Sequence, residues 1–249
     1  MAWGAFSDSA LVLRIGRFRE TDLWLRLLTR HKGLITAFAF GGSKSRRRFT
    51  GCLDLFNRIL VSAEFSKQGG FINLKETTLL ASPPVIRGDR QRLGMAANCA
   101  AFIEALGVLP DDSARIFALA EAVFSFLNSA EGTVPAELPI LFRFRLAAES
   151  GYAVNLERCS QCGAQQNGMF FSVADGACVC PRCRHDGMNA LFCSKECLDM
   201  LKKVQENSPD EWFSPKPGRE ALREACRLID AFVRYHLGLE WNNGRFRRN

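Results

Sequence analysis

DLWLRLLTRHKGLITAFAF, residues 22–40, decides how the first part of the chain folds. Leu23, Leu25 and Leu27 alternate with Asp22, Trp24 and Arg26, the period of two that a half-buried strand requires. HKG (31–33) reads as a turn, and LITAFAF (34–40) as the strand that returns beside the first. Working outward, ALVLRI (10–15) puts Leu11, Leu13 and Ile15 on one face and Val12 and Arg14 on the other. DLFNRILVSAEF (54–65) and FINLKETTLL (71–80) flank SKQGG (66–70), which reads as a hairpin turn. Short strands in succession, with no long helix between them, predict a small closed barrel rather than a parallel sheet.

Charge sharpens that reading. The formal net charge of the 249-residue chain is +7. Residues 1–81 hold 13 Lys+Arg against 6 Asp+Glu, and the remainder holds 20 of each, so the whole surplus belongs to the first third. Between Leu23 and Leu53 stand Arg26, Arg30, Lys32, Lys44, Arg46, Arg47 and Arg48, with no acid among them. Four of these lie in GGSKSRRRF (41–49), a Gly/Ser-rich stretch expected to be an exposed loop. A field of one sign attracts a polyanion. A solvated basic surface that only aids solubility is the plainer alternative, but solubility does not require acids to be absent. Arg14, Trp24 and Arg26 share a side in the alternation, so Trp24 could stack on a base or pack against another part of the protein. Arg14 and the seven bases are the candidate phosphate contacts.

SPP (82–84) marks a boundary, since proline cannot continue a ladder. Beyond it the period becomes helical, and helices are expected over 89–107, 111–130, 135–151, 194–204 and 218–238. The expected organisation is α+β, with a barrel domain over 1–81 and a helical domain over 82–249. The basic tail GRFRRN is expected to fray. Composition is ordinary for a globular chain, at 47% apolar and 24% charged. No apolar run reaches the roughly 18 residues of a membrane helix. The first residues lack the basic start and apolar block of a signal peptide, so the expected compartment is the cytoplasm, with no membrane contact.

In the cytoplasm thiols stay reduced, and paired cysteines suggest metal before disulfide. Cys159 and Cys162 form one C-x2-C pair and Cys180 and Cys183 another, with 17 residues between them. That is the spacing of a four-thiolate zinc ribbon, here over about 155–187. Each pair fits a tight turn that aims two sulfurs at one point, and MFFSVADGACV between them reads as a hairpin. Cys178 falls outside the pattern and is expected to be a plain thiol. Cys193 and Cys197, spaced i, i+4 at an expected helix start, read as two small apolar residues, although a rival tetrad that includes them stays open on spacing alone. Four thiolates leave no coordination position for water, so the expected zinc is structural.

Catalytic patterns are missing. The chain has no G-x-x-x-x-G-K-[ST], no G-x-S-x-G and no H-E-x-x-H, and His31, His185 and His236 have no evident nucleophile or carboxylate partner. The chain is therefore not expected to be an enzyme. A hydrolase of nucleic acid would need a carboxylate cluster, and 23–53 has none. An RNA-binding or transcription adaptor built from the same barrel and ribbon is the alternative function.

Three segments together carry a family resemblance: VLRIGRFRETDLWLRLLTRHKGLITAFAFGGSKSRRR, then FRFRLAAESGYAVNLERCSQCG, then FFSVADGACVCPRC. They resemble the bacterial recombination mediator family RecO over nearly the whole chain. The resemblance implies an N-terminal OB-fold barrel and a helical domain with an embedded zinc ribbon. Cys159, Cys162, Cys180 and Cys183 would stand at the zinc positions, while Cys178, Cys193 and Cys197 lie outside that pattern. It further implies binding of single- and double-stranded DNA at the nucleoid, strand annealing, and help in loading RecA together with RecR and the single-stranded-DNA-binding protein.

Overall fold

Five strands wrap into a closed barrel: β1 (Phe6–Arg17), β2 (Leu23–Thr29), β3 (Leu34–Ala39), β4 (Arg58–Phe65) and β5 (Ile72–Ala81). Around the barrel they run β1-β2-β3-β5-β4, the order of an OB-fold. Neighbours are antiparallel except β3 and β5, which close the barrel in parallel. This computed structural model describes residues 4–66 and 70–248, so most of the expected SKQGG turn lies outside the described residues.

The alternation works as expected in β2, where Leu23, Leu25 and Leu27 enter the core with Ala37, Ala39, Ile59, Val61 and Leu74. In β1 it works differently. The expected face of Leu11, Leu13 and Ile15 is split, because Ala10 and Val12 enter the barrel core and Ile15 joins it from the other side of a register shift between Val12 and Arg14. Such a bulge inserts one residue, changes the phase of the side chains and bends the strand. The bend lets one 12-residue strand pair with β4 through Phe6–Leu11 and with β2 through Ala10–Arg17. Leu11 is left to line a cavity with Phe56 and Phe124.

The chain parts into two compact units, residues 1–129 and 130–249. The helices that follow the prolines therefore belong with the barrel. They are α1 (Pro84–Gly88), which the proline pair concealed, α2 (Arg90–Leu106) and α3 (Pro110–Ser129). Asp89 caps α2 by accepting from the N–H groups of Gln91 and Arg92. The HKG turn is pinned to the start of α3: Gly33 N–H donates to Ser113 Oγ at 3.0 Å and Leu34 N–H to Val108 O at 3.1 Å. A Cβ on Gly33 would come within 2.3 Å of that same oxygen, and φ is +74° there, so the close approach requires glycine.

The second unit contains α4 (Leu138–Ala147), a π turn over Ala148–Tyr152, strands β6 (Gly168–Ser172), β7 (Ala177–Val179) and β8 (Ala190–Ser194), and helices α5 (Lys195–Glu206) and α6 (Arg219–Leu237). The expected ribbon hairpin is β6–β7, but the sheet has a third strand, with order β7-β6-β8. The tail does not fray as expected. Residues Leu239–Asn242 (β9) and Arg245–Arg248 (β10) form a hairpin in which Trp241 and Phe246 pack with ring centroids 4.8 Å apart.

Candidate metal centre and nucleic-acid interface

The four paired cysteines converge. Cys159 Sγ, Cys162 Sγ, Cys180 Sγ and Cys183 Sγ all lie within 4.8 Å of one another, an arrangement that could hold a metal ion. Two turns make it. Gly163, at φ +71°, lets its N–H return to Cys159 O at 2.9 Å. The N–H groups of Cys183 and Arg184 close on Cys180 O at 3.0 and 3.1 Å. The β6–β7 hairpin brings the turns together, and Ser160 N–H donates to Cys178 O at 2.8 Å to stitch them. Cys159, Val179 and Cys180 are buried, with Phe170, Cys183 and Met188 packed around them.

The local field suits bound anions of sulfur. Burial opposes a Cys159 thiolate, but the backbone N–H groups of Cys180, Cys162 and Gln161 and the Cys162 thiol outweigh it and bring Cys159 down to about 6. Cys180 is lowered in the same way, against burial, by Cys183 and Arg182. Cys183 is pushed up to about 12, first by the Cys162 and Cys180 thiols. Bare, the cluster thus holds protons that a cation would displace. Four soft donors with no carboxylate or imidazole fit zinc or iron rather than magnesium or calcium.

The other thiols stay outside this set. Cys178 and Cys193 are fully buried, and Cys193 sits on β8, not at a helix start as expected. Cys197 is in the first turn of α5, where Ser194 Oγ caps its N–H. Burial pushes Cys178 up to about 12, and the Cys193 thiol followed by burial raises Cys197. Among the described residues no tetrad includes Cys193 or Cys197.

The basic candidates divide by how far the protein already engages them. Arg14 and Arg26 do share the outer side of the barrel with Trp24, but both look toward an acid on α2. Arg14 Nη2 lies 3.2 Å from Glu104 Oε2, and Arg26 Nη1 donates to Thr36 Oγ1 at 2.8 Å. Burial lowers the Arg26 guanidinium and raises Glu104 above the usual carboxylate range, in each case partly offset by the opposite charge. Lys32 Nζ sits 5.1 Å from the Phe6 ring centroid. Arg30, Lys44, Arg46, Arg47 and Arg48 are exposed. Gly42–Lys44 forms a 3-10 turn anchored by Ser43 N–H on Thr21 O at 3.0 Å, and Arg48 Nη2 donates to Phe40 O at 2.7 Å. The loop is thus fixed at the barrel end with its remaining bases in water.

The histidines also find partners. His31, expected to have no carboxylate partner, places Nδ1 2.9 Å from Oδ1 of the buried Asp8, while its own N–H donates to Asp8 Oδ2. The two are 23 residues apart, and only strand pairing brings them together. His236 Nε2–H donates to Val173 O at 2.7 Å. The His236 ring also packs against Phe232, Tyr235 and Tyr152.

A closed barrel with a fixed basic loop, followed by helices that carry a four-thiol ribbon, defines a barrel-and-ribbon protein of α+β class, and none of its helices is long and apolar enough to cross a membrane among the described residues. Residues 1–83 match the model for "Recombination protein O N terminal" and residues 87–245 that for "Recombination protein O C terminal". The chain is 47% identical to DNA repair protein RecO of Nitratidesulfovibrio vulgaris (strain DP4), covering 98% of this chain and 99% of that one. Against DNA repair protein RecO of Oleidesulfovibrio alaskensis the identity is 44% over 98% and 99%, and against that of Myxococcus xanthus 30% over 94% and 93%. The chain belongs to the RecO family of DNA repair proteins.

Proposed function

We propose that this protein is a non-enzymatic recombination mediator that binds single- and double-stranded DNA, promotes annealing of complementary strands, and works with RecR and the single-stranded-DNA-binding protein to load RecA. Its place of action is the cytoplasm, at the nucleoid. In this reading residues 1–81 supply the DNA-binding barrel and residues 82–249 the helices and a ribbon over about 155–187, with α1–α3 in one compact unit with the barrel. The observation that carries the reading is the exposed loop of Lys44, Arg46 and Arg47, free of acids and tied to the barrel end through Ser43 and Arg48. Phosphate contacts of this kind give affinity without sequence preference, and a basic surface lowers the repulsion between two strands brought together. Arg30 and Lys32 extend the same field. Arg14 and Arg26, already facing Glu104, contribute less.

Zinc is the metal we assign to Cys159, Cys162, Cys180 and Cys183. Bound there it would supply structural cross-linking and no chemistry, since four thiolates close its coordination. The chain's own residues supply the geometry: one turn assisted by Gly163, a second closed on Cys180 O, and backbone N–H groups that favour the Cys159 and Cys180 thiolates.

The test is Lys44→Ala/Arg46→Ala/Arg47→Ala, which leaves Arg48 on Phe40 O. Binding to oligonucleotides should weaken, and the slope of log K against log salt on single strands should flatten by about 2, at about 0.7 per phosphate lost. An unchanged slope removes the loop from the interface. Affinity capture with purified RecR and single-stranded-DNA-binding protein checks the partners.

A further inference from the structure

The outer face of the barrel carries a row of aromatic rings that neither the core nor the basic loop uses. Phe18 follows β1, Trp24 is on β2, Phe38 and Phe40 are at the end of β3, and Phe71 precedes β5. Phe38 is the hub, with ring centroids 5.4 Å from Phe18, 6.4 Å from Phe40 and 5.6 Å from Phe71, and Phe40 and Phe71 are 5.9 Å apart. Trp24 is the cross-strand partner of Phe38 on one side and of Gly16 on the other. A Cβ on Gly16 would fall 2.2 Å from the indole nitrogen, so Trp24 lies across the glycine, as a side chain does when it covers a bare patch of sheet. Phe18 is 51% exposed and Phe71 38%, whereas Leu25, Ala37 and Ala39, which point inward from β2 and β3, are fully buried.

Positive charge flanks the rings. The Arg19 guanidinium sits 5.2 Å from the Phe18 centroid, and Arg48 holds the Phe40 carbonyl at the other end of the row, with Lys44, Arg46 and Arg47 on the same loop. A strip of rings bordered by cations matches one polymer, a nucleic acid whose bases are unpaired. Such a strand offers a flat apolar face at each nucleotide and a phosphate beside it. A duplex keeps its base faces stacked inside and offers phosphates alone.

We propose that Phe18, Trp24, Phe38, Phe40 and Phe71 form a stacking platform for the unpaired bases of single-stranded DNA, and that this platform, not the basic loop, makes the protein distinguish single strands from duplex. The proposal rests on the nucleic-acid reading above and adds to it the part of the surface that discriminates. The loop attracts both forms; the rings hold one.

Phe18→Ala/Phe71→Ala tests it, because both side chains are exposed and their loss opens no core. The probes are oligothymidylate of about 16 nucleotides, the upper footprint of one such barrel, and a duplex of equal length. Affinity for the oligothymidylate should fall by at least about fivefold for each base that loses its ring, while duplex affinity and the salt slope stay those of the wild type. Phe18→Tyr/Phe71→Tyr should restore single-strand binding. Wild-type affinity of the alanine variant for oligothymidylate, or an equal loss on duplex, overturns the proposal. Tighter wild-type binding to oligouridylate than to oligothymidylate overturns its assignment to DNA. Failure of the wild type to bind either oligonucleotide or duplex instead overturns the nucleic-acid reading, an outcome the alanine variant alone would not produce.

Discussion

The barrel and the ribbon are both small sheets, but they close by different means. The barrel buries Leu25, Leu27, Ile59, Val61 and Leu74 completely, and its five strands leave no edge unpaired. In the ribbon, the turns at Cys159–Cys162 and Cys180–Cys183 are packed by a cluster of Cys159, Val179 and Cys180. Apolar burial at about 25 cal/mol per Å² can stabilise the first alone. In the second, β6, β7 and β8 bury Met169, Phe171, Cys178 and Cys193, but the two cysteine turns bury little besides Cys159, Val179 and Cys180, too little to offset the ordering of the loops on either side. The cysteines that complete this small core are also those that could hold a metal ion. One sequence thus contains a barrel closed by excluding water and a pair of cysteine turns that could be closed by a cation.

Removing the cation should break this contrast most visibly. Structural zinc contributes on the order of 10 kcal/mol or more to folding of small thiolate sites at neutral pH. Cys159→Ser, or prolonged chelation of the wild type, should release one equivalent of metal and open residues 155–194 to protease. The barrel should keep its protection in hydrogen exchange. Metal analysis and mapped proteolysis check the two halves, and full retention of metal by Cys159→Ser would take Cys159 out of the site. Acid should act in the same direction. Protons compete with a cation for thiolate sulfurs, so metal content should fall as the pH is lowered.

The converse change sharpens the comparison from the other side. Leu25 is fully buried at the centre of the barrel, so Leu25→Ala should cost about 2–5 kcal/mol in denaturant unfolding of the barrel. Zinc content should not change. Equal loss of metal and barrel stability would mean that the two sheets do not fold by separate means.

What the sequence disclosed follows the same division. Local patterns were legible: the alternation of β2, the C-x2-C turns and the change of period after Pro83 each lie within a few residues. Features made by register were not. The bulge near Leu13 shifts the phase of β1 without any glycine or proline to announce it. β8 is a short apolar run, ALFCS, that merges into α5 and reads as its first turn. The hairpin of β9 and β10 did carry a signal, since NG at Asn243–Gly244 is a favoured two-residue turn, but the basic tail masked it. The aromatic row draws on residues up to 53 positions apart, Phe18 and Phe71, and becomes a row only when β3 pairs with β5. Glu104 was invisible for the same reason, because it lies on α2, far outside the acid-free segment.

Glu104 supplies the smallest and most discriminating expected effect. Its carboxyl is raised, first by burial, while Arg14 and Arg26 pull it down. A carboxyl raised on folding binds its proton more tightly in the native state than in the unfolded chain. Its contribution to stability is therefore greatest below the unfolded value near 4.3 and declines as pH rises through the window up to the folded value. Glu104→Gln should flatten that decline, so the variant gains relative to the wild type as pH rises from about 4 to 7. The same change releases Arg14 and Arg26 from their acid. If those two arginines border the strand held on the barrel face, oligothymidylate binding at low salt should tighten severalfold and its salt slope should steepen by up to about 1.4, two contacts at 0.7 each. A steeper slope with no change on Leu25→Ala ties the effect to charge on the barrel surface rather than to its core, whereas an unchanged slope confines Arg14 and Arg26 to a structural role between β1, β2 and α2.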